Sequence, residues 1–192
     1  GHCGDHKAHQ VGGDVSLGGQ YDFGNGFTMG AGIAGEGSGL VTKEDSSAYG
    51  VNAAYSGDNF GLSVAYAMVE GDVSGGIRPD NTYWGVIGSY SFDDAPLSIS
   101  VGYGTSETEG SSADKTSWFA GLMFDEVGPG SVGIAAGTDG LHADNVTEDM
   151  LYEAYYAYDI NDGMSQTLGV YYQENNSGTD ETGIVAVTSF SF

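Results

Sequence analysis

Four basic residues stand against 27 acids in this chain of 192, leaving a net charge of −23. So few cations leave no electrostatic footprint for a phosphate backbone, which excludes DNA and RNA as partners. Proline is nearly as scarce. All three prolines fall between stretches of alternating character, where the missing amide interrupts no strand pairing. The single cysteine, Cys3, permits no internal disulfide and does not report the redox compartment. No apolar run approaches the roughly 18 residues that a membrane-spanning helix requires. Outside the first ten residues the only histidine is His142. A nucleophile there would lack an imidazole base, and no G-x-S-x-G elbow is present, so the chain is not expected to be an enzyme.

What the chain does have is glycine and tyrosine, 34 and 13 of them, both mediocre helix formers, set in strict two-residue alternation. With 40% apolar residues in that pattern the chain folds rather than remaining an acidic disordered polymer. The last stretch, Glu181 to Phe192, shows the pattern best. Ile184, Ala186, Thr188, Phe190 and Phe192 share one side of an extended strand, and Val185, Val187, Ser189 and Ser191 the other. Such an edge would invite aggregation unless the sheet were closed into a barrel.

The same alternation predicts a series of hairpins. Strands are expected over 14–23 and 27–36 around Gly24-Asn25-Gly26, over 47–55 and 60–69, and over 82–92 and 97–105 around Asp93 to Pro96. Two more pairs follow, 116–124 with 131–137 and 150–159 with 165–173, before the closing strand at 181–192. Short turns and long acidic loops therefore alternate, placing the turns at one rim and the loops at the other, as in an outer-membrane barrel.

Aromatic residues gather at both rims. Tyr21, Phe23, Phe27, Tyr55, Phe60, Tyr90, Phe92, Phe124, Tyr158, Phe190 and Phe192 lie near short turns or the terminus. Tyr49, Tyr66, Tyr83, Trp84, Tyr103, Trp118, Phe119, Tyr152 and Tyr171 lie near the loops. Two bands of rings flanking Val, Leu, Ile, Ala and Gly match the girdles that form at membrane interfaces, with Tyr21, Phe23, Tyr90, Phe92, Trp84, Trp118, Phe190 and Phe192 as their expected members. Lys7, Lys43, Arg78 and Lys115 all fall outside the expected strands. The opposite strand face is built of Ser, Gly, Ala, Asn, Gln and Thr with occasional acids, which suits a wet interior, and Asp14, Gln20, Asn52, Glu153 and Gln173 are expected to line it.

Other motifs weigh less. Gly30 to Gly35 fits G-x-G-x-x-G but precedes an acidic loop instead of a helix. Asp159, Asn161 and Asp162 resemble the start of a calcium loop, yet Gly163 comes one place early and no glutamate follows where one is needed. The loop acids Asp139, Asp144, Glu148 and Asp149 read as a solvated rim. His2, Cys3, His6 and His9 are metal-ligand types at close spacing, but no second cluster completes a structural site, so residues 1–10 read as a leader segment and 11–192 as the barrel domain. No metal and no cofactor are expected.

From Thr82 onward the sequence resembles the cyanobacterial outer-membrane porins, the Som-like or iron-uptake porin family. The likeness rests on Leu97 to Ser106 (LSISVGYGTS), Thr116 to Asp125 (TSWFAGLMFD), Gly130 to Gly137 (GSVGIAAG), Tyr152 to Tyr156 with the Asp162-Gly163 turn, and the terminal Thr188 to Phe192. It implies a membrane-embedded barrel, often trimeric, that passes inorganic ions and small solutes, sits in outer-membrane lipid and is read by the barrel-assembly machinery through Phe192. The family's surface-layer-homology region and earlier strands have no counterpart in this sequence. The odd strand count implies strands beyond it, one contributed by Gly1 to Val11, or a different division of the strands.

The expectation is an all-β, antiparallel, up-and-down transmembrane β-barrel of about 11–12 strands, working as a passive, cation-favouring outer-membrane diffusion channel. The competing expectation is a secreted or cell-surface structural or adhesive β-protein with acidic loops. Fractionation separates the two: a channel should partition wholly into membranes and need detergent, whereas an adhesive protein should stay in solution without it.

Overall fold

A computed structural model describes residues 15–35, 47–71, 79–143 and 146–191. Asp14, Phe192, His2, Cys3, His6 and His9 lie outside the described residues. The elements are β1 (Val15–Asp22), β2 (Phe27–Gly35), β3 (Ser47–Ser56), β4 (Phe60–Glu70), β5 (Asn81–Ser91), β6 (Leu97–Thr108), β7 (Lys115–Val127), β8 (Gly130–Thr138), β9 (His142–Ala143), β10 (Met150–Asn161), β11 (Met164–Glu174) and β12 (Glu181–Phe190). Each long strand pairs antiparallel with the next in a single up-and-down sheet, and β9 is a two-residue bridge that pairs only with the start of β7. Among the described residues no helix is long and apolar enough to cross a membrane; β-strands are the elements that could.

Short turns do close one rim and long connections the other. In the first turn Phe23 N–H donates to Phe27 O, and the Asp22 and Asn25 side chains accept from Gly24 N–H and Phe27 N–H at 2.7 and 3.3 Å. The rim is also stitched from hairpin to hairpin. Ser56 N–H donates to Gly26 O, Ser91 N–H to Asn59 O, Asp125 N–H to Pro96 O and Ser191 N–H to Gly163 O, each at 2.8 Å. Gly26 has φ +81°, and a Cβ there would overlap the Ser56 carbonyl, so both backbone and stitch require glycine.

Register defines the faces. Tyr21, Met29, Ala53, Val64, Val86, Tyr103 and Trp118 form one continuous cross-strand row from β1 to β7. The row starts near the short-turn end of β1 and reaches β7 near its loop end, a stagger that accumulates as in the tilted strands of a barrel. β1 and β12 both run from the loop rim to the turn rim.

The decisive observation is the absence of a hydrophobic core: among the described residues no apolar side chain is buried. Leu17, Val101 and Ile184 are 66%, 55% and 83% exposed, where a soluble sandwich would bury them. An apolar face this continuous fits lipid rather than water.

Three local details depart from the sequence-based expectation. β7 runs on to Val127 through a register shift after Phe124, with Glu126 at φ +58°, so the turn shrinks to Gly128-Pro129. Lys115 opens β7, placing a cation in a strand where none was expected. β9 escaped notice because two residues carry no periodicity. Gly26→Val should destabilise the folded protein by roughly 1–3 kcal/mol through forced strain at positive φ, readable as a lower urea midpoint for unfolding from lipid vesicles.

Candidate functional site

The two faces differ in chemistry. On one, Phe27 and Tyr55 face each other across β2 and β3, and Ile99, Leu122, Ile134, Ala154, Val170 and Ile184 form a single apolar row from β6 to β12. On the other, the row Gln20, Gly30, Asn52, Ala65, Gly85, Gly104 and Ser117 crosses seven strands without a large apolar side chain. The parity of each strand assigns every residue to one solvent or the other.

Gln20, Asn52, Glu153 and Gln173 all stand on this second, small and polar face. Asn52 fills the space over Gly30, between itself and Gln20. On β10 and β11, Glu153 lies directly opposite Tyr171, and Gln173 opposite Glu181 on β12. Gln173 donates to Asp139 from the loop, and the Tyr171 hydroxyl donates to Glu181 at 2.6 Å. The structure thus groups the four into two pairs, Gln20 with Asn52 near β1 to β3 and Glu153 with Gln173 near β10 to β12. Lys115 is the one Lys or Arg among the described residues, and it shares this face opposite Ser106.

The expected girdle residues Tyr21, Phe23, Tyr90, Phe92, Trp84, Trp118 and Phe190 fall on the apolar face. At the turn rim Tyr21 packs edge-on against Phe23 with ring centroids 4.7 Å apart, and Tyr90 against Phe92 at 5.0 Å. At the loop rim the rings carry polar handles into the loops: Trp118 Nε1–H donates to Glu148 at 3.2 Å, and the Tyr172 hydroxyl to Asp180 at 2.8 Å. This pairing of apolar ring and wet tip is what an interface selects.

Tyr83, Phe119 and Tyr171 correct the expected loop band. They stand near the loop rim but on the polar face, opposite Ser106, Gly137 and Glu153. Sequence distance from a turn shows height along a strand, and only parity shows the face. Tyr172, one residue on, takes the rim position instead and stacks on Tyr152 at 6.2 Å.

Loop acids are satisfied by amides. Asp80 accepts from Gly71 N–H at 2.8 Å, and Asp149 from Asn176 N–H at 2.7 Å. Asp180 accepts from Asn175 N–H at 3.1 Å as well as from Tyr172. The Asn175 amide first, and the Tyr172 hydroxyl second, hold the Asp180 carboxyl below its ordinary value. Among the described residues no three His, Cys, Asp or Glu side chains are placed to hold a metal ion together.

Residues 9–179 match the model of the Gram-negative porin family. The fold is similar to that of a porin refined at 1.8 Å, with a TM-score of 0.71 and 16% identity over 92% of this chain and 61% of that one. It is also similar to the anion-selective porin from Comamonas acidovorans, with a TM-score of 0.67 and 16% identity over 92% of this chain and 59% of that one. A loop-L8-deleted OmpT, an outer membrane protein of Vibrio cholerae, aligns at a TM-score of 0.63 and 11% identity, covering 91% of this chain and 62% of that one. The chain therefore spans less than two thirds of the length of these three structures. No curated protein matches it in sequence.

Because its folded-state value is depressed, Asp180 should hold the 175–180 loop fully above its unfolded pKa and release it only as pH falls through the lower folded value. The protection factor of the Asn175 amide in lipid nanodiscs should stay high at neutral pH and fall in that acidic window; Tyr172→Phe should move the onset to higher pH.

Proposed function

This chain belongs to the Gram-negative porin family, an outer-membrane channel and not an enzyme, and on that premise we propose that it is a passive, cation-favouring diffusion pore for inorganic ions and small solutes. The apolar face meets lipid, and the small polar face encloses the water-filled path. Gln20, Asn52, Glu153 and Gln173 line that path, and Asp14 joins them by its alternation with Ser16. Tyr21, Phe23, Tyr90, Phe92, Trp84, Trp118, Phe190 and Phe192 anchor the two interfaces. A homotrimer in outer-membrane lipid, inserted by the assembly machinery through the Phe192 terminus, is the assembly proposed. The sequence segments quoted for the cyanobacterial iron-uptake porins support a finer placement among them.

One observation carries the proposal: a sheet with no buried apolar side chain among the described residues, one face of which is apolar while the other is mostly small and polar, with Ile87, Val185 and Val187 among its exceptions. Catalysis has no part in this mechanism. A solute crosses because the lumen replaces lipid with water, and its charge decides how easily it enters. The fold alone leaves the sign of selectivity open, since it is shared with a porin described as anion-selective. Here the sign follows from side chains: carboxylates at Glu153 and Glu181, acids at both rims, and Lys115 as the single Lys or Arg among the described residues.

In planar bilayers under a KCl gradient, the reversal potential should report K+ preference at low salt, and the preference should shrink toward 1 M as charges are screened. Glu153→Gln should lower the K+/Cl− permeability ratio without abolishing conductance. Anion preference would refute the charge argument, and membrane insertion without conductance would leave a filled scaffold barrel.

A further inference from the structure

One methionine of the five in the sequence has the wrong parity for its kind. Met29 lies opposite Tyr21, Met68 opposite Tyr49, Met164 opposite Phe190, and Met150 two residues before Tyr152, all on the apolar face. Met123 stands on the polar face. It lies between Ser98 on β6 and Gly133 on β8, in a row that continues to Tyr155. The Tyr155 ring lies over Gly133, where any Cβ would overlap it, and its hydroxyl donates to the Met123 sulfur at 3.7 Å.

A leucine would fill the same volume without chemistry. The thioether differs in carrying a polarizable lone pair that attacks electrophilic oxygen. On the apolar face hydrocarbon separates that lone pair from oxidants dissolved in water. On the polar face, with a serine and a glycine as neighbours, it stands in their path. Exposed area alone ranks the two sulfurs the other way, since Met29 is 47% exposed and Met123 is half-buried. Met29 is the third residue of β2, and Met123 pairs with the second residue of β6. Both therefore lie close to the turn rim and differ mainly in the solvent they face.

We infer that Met123 is a modification site, the methionine that water-borne hydroperoxides convert to its sulfoxide, which rests on the polar face lining the water path. The sulfur lone pair attacks one oxygen of hydrogen peroxide, and an S–O bond forms as the O–O bond breaks. Sulfur is oxidised by two electrons; the departing hydroxide takes the proton of the transferred oxygen and leaves as water. The new oxygen is a stronger acceptor than sulfur, and the Tyr155 hydroxyl, already turned toward Met123, donates to it.

Proteoliposomes treated with hydrogen peroxide and digested with chymotrypsin report oxygen gain at each methionine by mass. Met123 should gain oxygen about tenfold faster than Met29, and cumene hydroperoxide, which dissolves in the bilayer, should lower that ratio roughly threefold or more. In the chain unfolded in urea the two should react alike. A preference that survives unfolding would assign it to local sequence and overturn the inference. Slow reaction at both sulfurs in the folded protein would also overturn it while leaving Met29 in lipid and the channel reading intact. Oxidation of Met29 ahead of Met123, in the order of exposed area, would remove the lipid from the apolar face and defeat the channel reading as well.

Discussion

Backbone amides and carbonyls in a hydrocarbon solvent have no water to fall back on, and the structure follows from that constraint. The long strands from β2 to β11 give their polar backbone to neighbours on both sides, and only the outer edges of β1 and β12 are unpaired among the described residues, so side chains need only satisfy the solvent on their own side. A core becomes unnecessary. The energy that a soluble domain of this length would gain by burying Leu and Ile is here gained from lipid, which explains how a folded chain can leave Leu17 and Ile184 mostly exposed.

The same constraint governs where charge can go. Acids crowd the connections, and the few acids on strands lie on the polar face or at the strand ends, as do Glu153 and Glu70. With so few cations available, the loops satisfy their carboxylates by other means: amides of Gly71, Asn175 and Asn176, and the polar tips of Trp118 and Tyr172. These contacts tie the loop rim to the rings beneath it. The charge that could have unravelled the loops becomes part of their anchoring.

Much of this was legible from residues alone because period two is a strong code. Gly24-Asn25-Gly26 and Asn161-Asp162-Gly163 announced their turns, and strand ends fell within about three residues of expectation throughout, as helix and strand bounds usually do. The placement of Gln20, Asn52, Glu153 and Gln173 on one face followed from parity in the same way. Parity is also where sequence reasoning failed. Tyr83, Phe119 and Tyr171 were assigned by nearness to a loop, yet one step along a strand reverses a side chain. Register shifts, such as those after Phe124 and Asp159, leave no periodic signal of their own. Lys115 was missed because a strand boundary moved by one residue.

The stitched turn rim has a consequence for how the protein forms. Gly26, Asn59, Pro96 and Gly163 each lend a carbonyl to the end of a later strand, and Val127 lends its carbonyl to the Tyr156 hydroxyl of β10. No hairpin is finished until its successor has docked against it. Assembly of such a sheet has a grain: growth from one hairpin to the next locks what came before, like laying overlapping roof tiles, and Ser191 on Gly163 sets the final tile.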